Sequence, residues 1–211
     1  MQIFPFILRK LEVVTMNTAE NSNKLVETVH RYFSHHIRTN TAVIVAMLEA
    51  INEGLTDESM SQMIMESGYL LDIFDRGMSV CFNHIFGKPE SSEPEDVDLK
   101  MLVDLFILNA VPKDGSCNTD TDIPENLKVH CEPYAFKNLL QIFLHEAALA
   151  AQGGFSVRFA DNTISIKPDG GFYENPEIFA IFKEVLASQG IETDYDKISI
   201  ELRFPDESIN S

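Results

Sequence analysis

The sequence predicts an α+β chain in two parts. An antiparallel helical hairpin spans residues 1–90, a linker spans 91–98, and a small α/β sandwich spans 99–211. Three observations predict this. Apolar residues recur at steps of three and four through two long segments before residue 86. The run Ser-Ser-Glu-Pro-Glu-Asp-Val-Asp, Ser91 to Asp98, then interrupts the pattern with proline, serine and acid. Beyond it, short alternating segments are interleaved with helical ones, as in a layer of helices on a sheet.

The first helix is predicted from about Asn23 to Asn52. Leu25, Val26, Val29, Phe33, Ile37, Ile44, Leu48 and Ile51 form one stripe, and the segment contains no proline. Asn23 or Ser22 is its expected N-cap, and Gly54 its stop. Thr56 or Asp57 caps a second helix carrying Met60, Met63, Ile64, Leu70, Leu71, Phe74, Met78, Cys81, Phe82 and Ile85, which Gly87 and Pro89 end. Such a hairpin has more apolar face than it can bury against itself. Pairing two copies into a four-helix bundle is the economical solution, so a homodimer is expected.

In the second half, Leu99 to Asn109 reads as an amphipathic helix and Pro112 to Pro124 as a polar loop. Asn126 to Cys131 reads as a strand, and Tyr134 to Ala151 as an apolar helix closed by Gly153-Gly154. Residues 155–159 and 163–167 alternate around Asp161-Asn162, the pattern of a hairpin. Pro176 to Gln189 is a further helix and Lys197 to Phe204 a last strand. The helices are expected on one face of a mixed sheet.

Composition narrows the function. With 45% hydrophobic and 23% charged residues, the chain has the balance of a globular protein. Its 33 acids against 16 bases give a net charge of −17, which repels phosphate backbones and argues against a nucleic-acid partner. Cys81, Cys117 and Cys131 are far apart and in no metal-ligand spacing, which suits a reduced, cytoplasmic protein. The apolar run Ile3 to Leu8 is too short to insert in a membrane, and Arg9 and Lys10 follow it rather than precede it as a signal peptide requires. Met16 is an alternative start.

The stretch Phe33-Ser34-His35-His36-Ile37-Arg38-Thr39-Asn40 resembles the H-box of dimeric sensor histidine kinases, where Ser-His-acid-Leu-Arg-Thr-Pro carries the phosphorylated histidine. The resemblance makes His35 the phosphoacceptor, with His36 in place of the usual acid and Asn40 in place of the proline. His36 is the fallback acceptor. Residues 129–133 resemble the strand-to-helix junction of the same kinases' ATP-binding domain, and Leu139 to Ala148 its N-box helix. Ile164 to Gly171 resembles the approach to the nucleotide loop, and Leu202-Arg203-Phe204-Pro205 the family's usual ending. The implied fold is a dimerisation and histidine-phosphotransfer hairpin followed by a degenerate Bergerat-like sandwich.

Departures from the family pattern shape the expected function. Glu146 stands where the magnesium-binding asparagine belongs, and residues 172–175 leave no room for a glycine-rich lid to cradle phosphates. The resemblance therefore implies a histidine phosphotransferase without autokinase activity, like those of bacterial cell-cycle and sporulation phosphorelays. It would relay phosphoryl groups between receiver-domain aspartates through one histidine. No cofactor of its own is expected, because the receiver domain brings the magnesium. Arg38, at i+3 from His35, would steady phosphoryl oxygens, and Thr39, at i+4, stands where related kinases carry a residue that assists dephosphorylation. The alternatives are a divergent kinase with residual ATP binding and a non-catalytic scaffold that binds regulators.

Plainer readings compete at several positions. His35 and His36 also suit a merely polar helix surface, and His30, His35 and His36 do not share the face a metal site needs. His145-Glu146 begins a zinc-protease pattern that Leu149 breaks, so Glu146 is expected to be a surface acid. Asp169-Gly170-Gly171 reads as an ordinary turn, and the methionines as core and dimer packing.

Overall fold

The structure, a computed structural model, describes residues 4–88, 92–113, 115–172 and 175–210, with side chains from residue 21 onward apart from residue 58. Pro89, Ser91 and residues 173–174, on which the second helix stop, the linker start and the missing lid partly rest, lie outside the described residues.

The first helix, α1 (Phe4–Asn52), is longer than its apolar stripe predicts. No glycine or proline stands between Pro5 and Gly54, so nothing in the backbone stops the helix at Asn23. The helix ends where Gly54 takes φ 85° and the Leu55 N–H reaches back to Ala50 O at 3.0 Å, a Schellman closure. Asp57, rather than Thr56, caps α2 (Glu58–Ile85) by accepting from Ser59 N at 3.1 Å.

The hairpin divides by burial. Near its base, Val29 and Phe33 of α1 and Ile73, Phe74 and Cys81 of α2 are fully or almost fully buried. Toward the tip, Val45, Leu48, Ile51, Leu55, Met63 and Met65 are exposed in the single chain. The predicted stripe is therefore covered only where the second half of the chain reaches it.

That half begins earlier than expected. Glu95–Asp98, within the predicted linker, form strand β1, which pairs antiparallel with β3 (Lys128–Cys131) and buries Val97. Helix α3 (Leu99–Ala110) follows, and β2 (Asn118–Asp122) lies inside the predicted loop. The sequence Asn-Thr-Asp-Thr-Asp shows no apolar alternation because β2 is an edge strand held by parallel backbone pairing to β4 (Gly154–Ala160).

Helix α4 (Pro133–Ala150) starts on Glu132, whose carboxylate accepts from Tyr134 N at 3.0 Å and Ala135 N at 2.8 Å. The hairpin of β4 (Gly154–Ala160) and β5 (Thr163–Pro168) turns through Asp161 and Asn162, both left-handed at φ 50° and 57°. Then come α5 (Pro176–Ala187), β6 (Glu192–Tyr195), β7 (Ile200–Arg203), a 3₁₀ turn and β8 (Ile209–Asn210). The predicted last strand is shortened at its start to β7, because the Asp196 carboxylate accepts from Ile198 N and Ser199 N, each at 2.7 Å, in a turn. Before that turn, β6 is a strand that the sequence reading does not predict.

The result is two sheets instead of one: a mixed sheet in the order β2-β4-β5-β7-β6 and an antiparallel sheet in the order β1-β3-β8. Phe155, Val157, Ile164, Ile166, Ile200 and Leu202 point from the larger sheet into one core with α4 and α5, while Arg158, Lys167 and Arg203 face solvent. The expected α+β arrangement, a helical hairpin followed by helices on one face of a mixed sheet, is observed. Among the described residues, no helix is long and apolar enough to cross a membrane.

Three helices meet at Gly77 of α2. A Cβ there would lie 2.4 Å from Ile142 Cδ1 of α4 and 3.0 Å from Phe33 Cε1 of α1, and both side chains are fully buried. Gly77→Val is expected to lower stability by roughly 2 kcal/mol through overpacking, read as a lower urea midpoint at an unchanged slope.

Candidate functional site

Consecutive residues on a helix point about 100° apart, so His35 and His36 belong to different faces of α1. Thr28, Tyr32, His36 and Asn40 recur at intervals of four and form the inward stripe beside the Val29 and Phe33 core. Arg31, His35, Arg38 and Thr39 lie on the exposed side. The structure thus puts on different faces the two histidines that the sequence reading ranks as acceptor and fallback.

His36 is tightly packed. Its ring stacks on Phe74 of α2 at a centroid distance of 4.3 Å and an interplanar angle of 10°. Tyr32 lies at 4.8 Å and His145 of α4 at 5.5 Å. Its Nε2 is 3.7 Å from Glu146 Oε1, and only 14% of its side chain is exposed.

Glu146 is not the surface acid the sequence suggests. It is 4% exposed, because α4 turns this position toward α1 rather than toward solvent. Its Oε1 accepts a hydrogen bond from the Tyr32 hydroxyl at 2.6 Å. Burial raises the Glu146 carboxyl above its ordinary range, against the lowering effect of the Tyr32 hydrogen bond. Burial also pushes His36 down to about 4 and His145 down to about 3, with a further lowering from the adjacent imidazole in each case. At neutral pH the His36–Glu146 contact is therefore not an ion pair: desolvation of the imidazolium outweighs the attraction of the carboxyl.

His35 stands at the mouth of this cluster. A cleft of about 630 Å³ is lined by Arg31, His35, His36, Glu146, Asn175 and Glu177, with α1 on one side and the start of α5 on the other. Arg31 Nη2 lies 2.7 Å from Glu177 Oε2, and Thr28 Oγ1 donates to the same oxygen at 3.4 Å. The Arg31 guanidinium holds the Glu177 carboxyl below its ordinary range.

The other predicted site residues are placed differently. Arg38 is exposed on α1. The Thr39 hydroxyl donates to the His35 carbonyl at 3.0 Å, one of three successive back-bonds with Asn40 to His36 O at 2.9 Å and Thr41 to Ile37 O at 2.8 Å. In this arrangement the Thr39 proton is committed to the helix backbone. Asp169 Oδ1 accepts from Gln152 N at 2.6 Å and so ties the turn after β5 to the end of α4. Among the described residues, no group of three or more His, Cys, Asp or Glu side chains is arranged to hold a metal ion.

No protein-family model and no curated protein matches this sequence. Solved structures do resemble it. The cytoplasmic segment of histidine kinase QseC aligns with a TM-score of 0.54 at 13% identity, over 72% of this chain and 99% of that one. The fold is histidine-kinase-like. Two further structures, the Acinetobacter baumannii histidine kinase AdeS (TM-score 0.49, 13% identity, 82% of this chain and 98% of that one) and a bacterial phosphotransferase (0.47, 16%, 85% and 94%), have TM-scores below 0.5. At such identities only the fold carries over.

Within this histidine-kinase-like fold, sequence reasoning missed Tyr32, Phe74, His145, Arg31 and Glu177 as neighbours of the histidine pair. The signal for Tyr32 was present: Thr28, Tyr32 and His36 repeat every four residues next to the Val29 and Phe33 stripe, which turns His36 inward.

The buried imidazoles set the acid response. Both protonate more readily in the unfolded chain, near 6.5, than in the fold, so their contribution is complete above that pH and is lost as the pH falls toward 4. Glu146 acts in the opposite sense: its contribution is present below 4.5 and is lost as the pH rises through its raised value. His145→Leu is expected to flatten the stability profile between pH 6.5 and 4.5 by about 1.4 kcal/mol per pH unit relative to wild type, measured by urea denaturation across a pH series. Parallel profiles would show that His145 is not buried neutral.

Proposed function

We propose that this chain is a histidine phosphotransferase of two-component signalling, and that His35 is its phosphoacceptor. The observation that carries this reading is the division of the histidine pair: His35 is exposed at a cleft and His36 is packed inside. Imidazole, with a reference pKa of about 6.5, is largely unprotonated and nucleophilic at neutral pH. The unprotonated ring nitrogen of His35 supplies the electron pair to the phosphorus of an aspartyl phosphate. The N–P bond forms, the P–O bond to the aspartate breaks, and the carboxylate leaves. The second step runs in reverse onto the aspartate of another receiver domain, with magnesium supplied by that partner. Arg38, one turn along the exposed face, would meet phosphoryl oxygens.

Three features support transfer without autokinase activity. A buried carboxyl occupies the N-box position, the Asp169 carboxylate is committed to Gln152 N, and the sequence has no glycine-rich lid. The exposed apolar residues of the distal hairpin, Val45, Leu48, Ile51, Leu55, Met63 and Met65, support a homodimer closed as a four-helix bundle. The reading places the protein in the cytoplasm, with receiver domains as partners.

Phosphotransfer from a panel of phosphorylated receiver domains tests the function. Wild type and His36→Ala are expected to take up label, His35→Ala to take up none, and Arg38→Ala to react about tenfold more slowly, as for one lost charge-assisted hydrogen bond. Absence of label from every receiver domain would overturn the assignment. Leu48→Glu is expected to shift the chain from dimer to monomer in sedimentation by burying a charge at the paired helices.

A further inference from the structure

Attack by an exposed imidazole needs no buried carboxyl, yet Glu146 and Tyr32 are arranged around the neighbouring histidine. A carboxyl buried where α4 faces α1 carries a desolvation cost that one hydrogen bond at 2.6 Å does not fully offset. An apolar residue of similar size would pack this junction at least as stably, so Glu146 is poorly explained as a stabilising device. What it touches is specific. Its Oε1 meets the Tyr32 hydroxyl and the edge of His36, whose opposite constraint is the face of Phe74. The other groups facing His36 are His35 from α1 and His145 from α4. His36 also lines the cleft, so release of its ring would bring a second imidazole to the place where His35 stands.

We propose that Glu146, anchored by Tyr32, is a positioning residue that determines which of two adjacent histidines is the nucleophile. By holding the His36 ring inward against Phe74, it leaves His35 as the exposed imidazole of the cleft. The inference rests on the phosphotransferase function above, but half of its test does not.

Diethyl pyrocarbonate, which carbethoxylates accessible neutral imidazoles, is applied to the full chain at neutral pH and the modified residues are mapped by peptide mass spectrometry. In wild type, His35 is expected to react about tenfold faster than His36, whose largely buried ring must open before it reacts. Tyr32→Phe and Glu146→Leu are expected to bring His36 close to the rate of His35, and Glu146→Gln, which keeps both contacts, to restore the wild-type ratio. Equal rates in wild type, or unchanged protection of His36 in both disrupting variants, would overturn the proposal.

The second half follows phosphoryl label from receiver domains. His35→Ala alone is expected to accept none, whereas His35→Ala combined with Glu146→Leu acquires label on His36. Label confined to His35 at the wild-type rate in Glu146→Leu would also overturn the proposal. If wild type takes up no label at all, the phosphotransferase function falls, and the carbethoxylation ratios still decide whether Glu146 orders the pair.

Discussion

The junction of four aromatic rings beneath the histidine pair is the contact on which the rest of the molecule depends. Phe33 of α1 lies 6.2 Å from both Phe74 of α2 and Phe182 of α5, and Phe182 lies 5.7 Å from Phe143 of α4. All four are at most 1% exposed. Each of the four helices contributes one ring, so the hairpin and the sandwich share a single core instead of meeting across a polar seam. Edge-to-face contacts fix the rotation of each helix about its axis as well as its distance. The rotation of α1 is the consequential one, because it decides which of two consecutive side chains looks inward.

The polar cluster sits directly on that junction and takes its unusual character from it. Tyr32 and His36 project from α1 one turn apart, and His145 and Glu146 come from α4, more than a hundred residues later in the chain. In water the carboxyl would be charged, and the two imidazoles would exchange a proton near pH 6.5. Buried where α4 faces α1, all three are driven toward their neutral forms, and the Tyr32 hydrogen bond to Glu146 makes the burial of the carboxyl tolerable. At the rim, Arg31 and Glu177 form an ordinary solvated pair that links α1 to the start of α5. The cleft beside His35 is thus bounded by a rigid inner wall and a soft outer one.

Much of this was legible in the sequence, and what was not has identifiable physical causes. The two long helices, the Asp161-Asn162 turn and α4 follow from periodicity and turn chemistry, which are local properties. Strands β1 and β2 escaped because Glu-Asp-Val-Asp and Asn-Thr-Asp-Thr-Asp bury little and are held by backbone pairing to distant strands. The helical start at Asn23 was read from a cap residue, but a cap acts only where the helix actually stops. Glu146 was misjudged for a related reason: an acid in a helical sequence reads as surface unless its partner is known, and Tyr32 lies 114 positions away. The pair His35-His36 carries no local sign of its asymmetry beyond the four-residue repeat of Thr28, Tyr32 and His36.

The strand order of the larger sheet has a consequence for how the chain behaves in a crowded solution. Its two outer strands carry acids: Asp120 and Asp122 on β2, Glu192 and Asp194 on β6. Arg158 and Arg203, one strand further in, face Asp120 and Glu192. An approaching copy would have to bring the same acidic edge into register with this one, setting like charges opposite each other while leaving the arginines behind them. Part of the −17 charge thus works as a fence along the two outer strands of this sheet. Polymerisation through this sheet is discouraged.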